Sequence, residues 1–216
     1  EAASSQVHQT GYRGPIMTLQ NGVGNAEAIM AGCPGSPVIA GITSEGANLA
    51  ADNHVRHAGK GKTVFGPIVP GQPDDGFMNG LVALMRKAGL DAGLSSDPQS
   101  LGWGKVLVNA GINALTAILR ERNGQLLEID TARALMKDLV LEAREVIARR
   151  GIVLADGDPV ARVEEVCRHT AANYSSMYMD VQHGRRTEID FINGAIVREG
   201  IALGLACPYN DAVTKM

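Results

Sequence analysis

The chain has 216 residues, 45% hydrophobic and 20% charged with 26 glycines, which is the make-up of a soluble globular protein large enough for two domains. A net charge of -3, with no interleaving of basic and aromatic residues, excludes nucleic acid as a partner and favours a small molecule. Cys33, Cys167 and Cys207 are scattered and form no C-x-x-C, so neither a disulfide framework nor a zinc site is expected, and a reducing cytoplasm is the expected compartment. No run of about eighteen apolar residues could span a bilayer, and no membrane partner is expected. The opening EAASSQVHQTGYRG has neither the apolar centre of a secretory signal nor an initiator Met, so a fragment or a processed chain is expected.

The first ninety or so residues read as strands and turns. PIMTLQNG and PVIAGITSEG are short apolar runs stopped by turn residues, two buried strands. HVRHAGKGKTVFGP (54–67) places two strand-like segments around Gly59-Lys60-Gly61 and predicts a hairpin there. DDGFMNGLVALMRKAG predicts a helix with Phe77, Leu81, Leu84 and Met85 facing inward and Gly89 ending it. SSDPQS (95–100) then marks a boundary, with 1–96 as the sheet domain and 97–216 as an all-helical one. In the second part, DTARALMKDLVLEAREVIARRG predicts a helix capped by Asp130, buried through Leu135, Leu139, Ala143, Val146 and Ile147, and stopped by Gly151. TEID (187–190) matches a capping box and predicts a further helix start.

One segment carries a chemical puzzle. GKVLVNAGINALTAIL (104–119) is apolar nearly all round and should be buried, yet it holds Lys105, Asn109 and Asn113. On a helix turning about 100° per residue those three fan over about 80°, and Thr116 falls about 20° from Lys105. An unpaired buried ammonium costs several kcal/mol, and asparagine is a mediocre helix former, so the stripe calls for a wet or ligand-filled cleft. The alternative is structural: Lys105 reaches solvent or pairs with a carboxylate, and the asparagines bridge backbone groups. On the chemical reading Lys105 is a general acid whose pKa desolvation lowers, and the asparagines position a substrate. A second stripe follows in ANYSSMYMDVQHGRRTEID, where a helix would set Asn173, Ser176 and Asp180 within about 60° of arc, with Glu188 beyond. Glu188 in a helix's first turn would stay ionised and accept a hydroxyl's hydrogen bond, or simply serve as a favourable N-terminal charge.

Five segments taken in order, LQNGVG (19–24), HVRHAGKGKTVFG (54–66), WGKVLVNAGINALTAI (103–118), SSMYMDV (175–181) and RTEIDFINGAIVREG (186–200), resemble the ketopantoate reductase (2-dehydropantoate 2-reductase) family. The resemblance runs from about Ile16 to the C-terminus. It implies an α/β plus all-α fold: a Rossmann-like NADP-binding domain, then a helical domain of the 6-phosphogluconate-dehydrogenase C-terminal type, with the active site between them. It implies NADPH-dependent reduction of ketopantoate to pantoate in pantothenate synthesis. By motif, Lys105 matches the general acid and Asn21 the asparagine beside nicotinamide and substrate. Asn109, Asn113, Asn173 and Ser176 match substrate contacts, and Glu188 matches the glutamate that holds the substrate hydroxyl. The resemblance also allows a homodimer.

The departure from the family lies upstream. The chain has no G-x-G-x-x-G for a pyrophosphate. GVGNAE (22–27) puts glutamate where the third glycine should stand, and no basic residues follow for a 2′-phosphate. The first half of the Rossmann domain is therefore expected to be missing, and this chain alone is expected to bind NADPH weakly or not at all. The alternatives are a reductase of another small 2-keto acid and a non-catalytic helical interaction module. The histidines His54, His57, His169 and His183 form no metal grouping, and no metal is expected. Met177 and Met179 read as core filler.

Overall fold

The structure is a computed structural model and describes residues 2–154 and 157–216. The chain divides into two compact units: one comprises the segment up to Gln20 and Gly24–Gly102, the other Asn21–Val23 and Trp103–Met216.

The first unit opens with helix α1 (Ala2–Gln9), then strand β1 (Ile16–Thr18), helix α2 (Asn25–Gly32) and strand β2 (Val38–Thr43). β1 and β2 pair in parallel, Ile16 opposite Val38, so β1–α2–β2 is a β-α-β crossover. Strands β3 (Gly46–Ala51) and β4 (His54–Gly59) form a separate two-stranded ribbon, and β5 (Lys62–Pro67) returns antiparallel to β2. Helix α3 (Asp75–Lys87) then leads to β6 (Asp91–Leu94), parallel to β5, which completes a sheet ordered β1-β2-β5-β6. Its core joins Ile39, Phe65 and Ala92 of the sheet to Met78 and Val82 of α3.

Three sequence expectations fail in this unit. The expected strands and turns include helices α1 and α2. The segments around Gly59-Lys60-Gly61 are strands, but they do not form a hairpin with each other. β4 pairs with β3 through the turn at Asp52-Asn53, where Asn53 has φ 60°, while β5 belongs to the main sheet. On α3 the inward face is Met78 and Val82, with Leu81 and Met85 beside them, whereas Phe77 and Leu84 are exposed. FMNGLVALM holds two apolar stripes one residue apart, and the sheet selects one. Asp74 caps this helix by accepting from the Phe77 N–H at 2.9 Å, and Gly89 follows its end with φ +85°.

Helix α4 (Pro98–Leu119) runs from the first unit into the second. After it come α5 (Gln125–Glu128), α6 (Asp130–Arg149), α7 (Pro159–His169), α8 (Ser176–Gln182), a 3-10 turn (Ile189–Phe191), α9 (Asn193–Ala202) and α10 (Pro208–Lys215). One core unites them: Val106, Leu107 and Leu115 of α4, Met136, Leu139, Val140, Val146 and Ile147 of α6, Val163 of α7, and Ile192 and Ile196. Each such side chain stabilises the fold by about 1.5–3 kcal/mol when fully buried. α4 lies so close to its neighbours that a Cβ added at Gly111 would stand 2.8 Å from a Val140 methyl.

Here too the structure corrects details. α6 is flanked by Ile129, with Asp130 as its first residue and no side-chain cap, and Leu135 is only half-buried. Gly151, φ +75°, does follow its end. TEID is not a capping box: Thr187 accepts from the Ile189 N–H, a single 3-10 turn follows, and the helix begins at Asn193. Asn173 lies outside α8, which Ser175 caps by accepting from the Tyr178 N–H at 3.0 Å. Asp180 pairs with Arg185.

Candidate functional site

The polar stripe on α4 lies on a helix whose other faces are packed. Asn113 is 7% exposed and Thr116 fully buried, while Lys105 and Asn109 are half-buried. Burial pushes the Lys105 ammonium below the ordinary lysine pKa, and the Glu188 carboxylate pulls part of the way back. The two charges are therefore close enough to attract, although 83 positions apart in the chain as numbered.

Glu188 is fixed from a third segment. Asn21 donates from Nδ2 to Glu188 Oε2 at 2.9 Å. The Asn21–Val23 turn is seated on the 3-10 turn that follows Glu188, for the Val23 N–H donates to the Phe191 carbonyl at 3.1 Å. Gly22 makes this approach feasible: its φ is +86°, and an added Cβ would fall 2.4 Å from the Phe191 carbonyl oxygen. Within the TEID segment only Glu188 takes a tertiary partner among the described residues, while Thr187 accepts from the nearby Ile189 N–H and Asp190 pairs with Arg186 instead of reaching back to complete a cap.

Asn173 and Ser176 are exposed and bracket the buried Ser175. The Thr116 hydroxyl donates to Ser175 Oγ at 2.7 Å, fastening the start of α8 to the end of the α4 stripe. The Asn173 carbonyl accepts from the Asn123 N–H at 3.0 Å. Arg122 stacks over Tyr174, which stacks on Tyr178 with centroids 4.3 Å apart. Of the residues singled out in the sequence, the structure brings Lys105, Glu188 and Asn21 into one interacting group. It sets Asn109 and Asn113 on the same stripe, and places Asn173 and Ser176 on the segment that Thr116 anchors.

Sequence reading missed a buried amide relay. Asn193 and Asn210 are fully buried. Asn193 Nδ2 donates to the Ala110 carbonyl of α4 at 3.2 Å and to Asn210 Oδ1 at 3.0 Å. Asn210 Nδ2 donates to Glu142 Oε2 at 2.7 Å and to the Leu139 carbonyl at 3.1 Å. The same carboxylate takes the backbone N–H groups of Tyr209 and Asn210. Being an acceptor only, it fixes the direction of both amides. Asn193 Oδ1 has no partner among the described residues, a loss that costs about 1–3 kcal/mol when unmet. The signal was an asparagine inside the apolar FINGAIV, the same kind that marked Asn109 and Asn113.

Burial pushes the Cys167 and Cys207 thiols up to about 11, which keeps them protonated and unreactive. Among the described residues no three of His, Cys, Asp and Glu gather to hold a metal, and no helix is long and apolar enough to cross a membrane.

With this geometry in place, comparison with known proteins is informative. Residues 97–216 match the family model described as ketopantoate reductase PanE/ApbA C terminal, and residues 1–70 match ketopantoate reductase PanE/ApbA. A 2-dehydropantoate 2-reductase of Archaeoglobus fulgidus is 38% identical over 207 residues, covering 94% of this chain and 67% of that protein. The crystal structure of a PanE/ApbA family ketopantoate reductase from Ralstonia eutropha superposes with a TM-score of 0.89 at 29% identity, over 99% of this chain and 69% of the other. D-mandelate dehydrogenase, in a ternary structure with NADH and anilino(oxo)acetate, superposes with a TM-score of 0.85 at 30% identity, over 93% and 65%. The chain thus spans about two thirds of the length of the proteins it matches. A partial Rossmann-like sheet followed by a helical domain is the architecture it shares with them, and the chain belongs to the ketopantoate reductase PanE/ApbA family.

Proposed function

We propose that this protein reduces the ketone of 2-dehydropantoate to pantoate, with NADPH as hydride donor and Lys105 as general acid. The observation that carries the reading is the half-buried Lys105 ammonium, its proton loosened by burial and drawn partly back by the charge of the Glu188 carboxylate that Asn21 holds in place. Residues 1–96 would serve the cofactor and residues 97–216 the substrate, in the cytoplasm, as three buried free cysteines suit.

When bound, NADPH supplies the hydride. The residues present fit its nicotinamide end, where Asn21 offers an amide next to the charged pair. They do not form a pyrophosphate cradle, since the turn into α2 brings Glu27 into the helix's first turn, where an anion would be repelled. As negative charge grows on the ketone oxygen, a cation within hydrogen-bond reach stabilises that charge more than it stabilises the ground state. Lys105 then gives its proton to the oxygen, and its depressed pKa makes it the better donor. Glu188 accepts the hydrogen bond of the substrate hydroxyl. Asn109 and Asn113 orient the substrate along α4, and Asn173 and Ser176 touch it from the start of α8. Because the protonated amine is the working form, turnover falls as pH rises through the lowered Lys105 pKa.

The named relatives support the substrate, while the dehydrogenase bound to NADH and an oxo-acid ligand favours a second reading, a reductase of another 2-keto acid. A cofactor-oxidation assay on the protein at the length the cell makes separates them. We expect 2-dehydropantoate with NADPH to exceed every other 2-keto acid and NADH by at least about tenfold in kcat/KM, roughly 1.4 kcal/mol. A preference for a different keto acid selects the second reading, and no turnover with any of them leaves the non-catalytic module.

A further inference from the structure

We infer that Asn193 is a positioning residue that sets the register between Lys105 and Glu188, an inference that rests on the reading above. Ala110, whose carbonyl it grips, lies five positions after Lys105 on α4, and Asn193 itself lies five positions after Glu188. One hydrogen bond therefore joins the two segments that carry the charged pair. Asn210 and Glu142 brace it from behind, so Asn193 can neither flip nor slide without setting acceptor against acceptor.

Stability alone does not call for this arrangement. Apolar groups of the same shape would fill the space at least as well, and Asn193 leaves its Oδ1 buried without a partner among the described residues. What an amide relay provides that leucines do not is a single alignment of α4 against α9, because only one register satisfies its donors. Asn109 and Asn113 flank Ala110 on α4, so the same bond also fixes the rotation of the polar stripe.

The test compares Asn193→Ala, the double variant Asn193→Leu with Asn210→Leu, and Cys167→Ala, a core truncation in the same unit away from the relay. Each is assayed for kcat, KM and the alkaline limb of the pH profile, well below its own melting temperature. In both relay variants kcat should fall about 10- to 100-fold with the keto-acid KM within about threefold. The alkaline limb should move to higher pH, as water reaches Lys105 and relaxes the burial that lowers its pKa. Cys167→Ala should lose thermal stability alone. Should either folded relay variant retain wild-type kcat and pH profile, the inference is overturned. Absence of turnover in the wild-type protein would instead overturn the proposed function.

Discussion

α4 and α6 are neighbours of nearly equal length, 22 and 20 residues, and they treat charge in opposite ways. α6 strings acids and bases along its outer side, and the bonded ones have a partner at hand: Arg133 with Glu164, and Glu142 with the start of α10. α4 carries one charge, Lys105, on a helix packed on most of its faces. A solvated charge on α6 costs little. On α4 a charge must be held against desolvation, which stability alone gives no reason to do.

Substitutions that reverse this contrast sharpen it. Lys105→Met should lower kcat by about three orders of magnitude, within the usual range for a lost general acid, while the melting temperature holds or rises because a buried ammonium has gone. Steady-state kinetics with a thermal scan checks both halves, and loss of folding along with activity would show Lys105 to be structural. Gly22→Ala comes next. Its Cβ cannot fit beside the Phe191 carbonyl and the residue must keep a positive φ, so the turn shifts, Asn21 leaves Glu188, and KM rises about tenfold with a stability loss of about 1–3 kcal/mol. Arg133→Ala on α6 should do least, because solvent screens the ion pair of an exposed guanidinium: the melting temperature should shift slightly at most, with kinetics unchanged.

The α4 stripe was legible in the sequence because rotation along one helix follows from spacing alone. Lys105, Asn109, Asn113 and Thr116 needed no partner to be placed on one side. Where partners decide, the sequence misled. Thr187 to Asp190 spell a cap, yet Asn21, 167 positions away, takes the Glu188 carboxylate, and Val23 takes the Phe191 carbonyl. The segments around Gly59-Lys60-Gly61 were visible as strands, but their partners were not, because β4 finds β3 and β5 finds β2 and β6. Asn193 stayed hidden for the same reason: its meaning lies in Ala110 and Asn210, and no local pattern names them.

The central claim concerns one proton, and it can be watched directly. Titrating the Lys105 side chain by 13C NMR should place its pKa below the ordinary 10.5, and Glu188→Gln should lower it further by removing the carboxylate that draws it upward. An amine that titrates at the value of an exposed lysine, and does not respond to the loss of Glu188, would contradict the account.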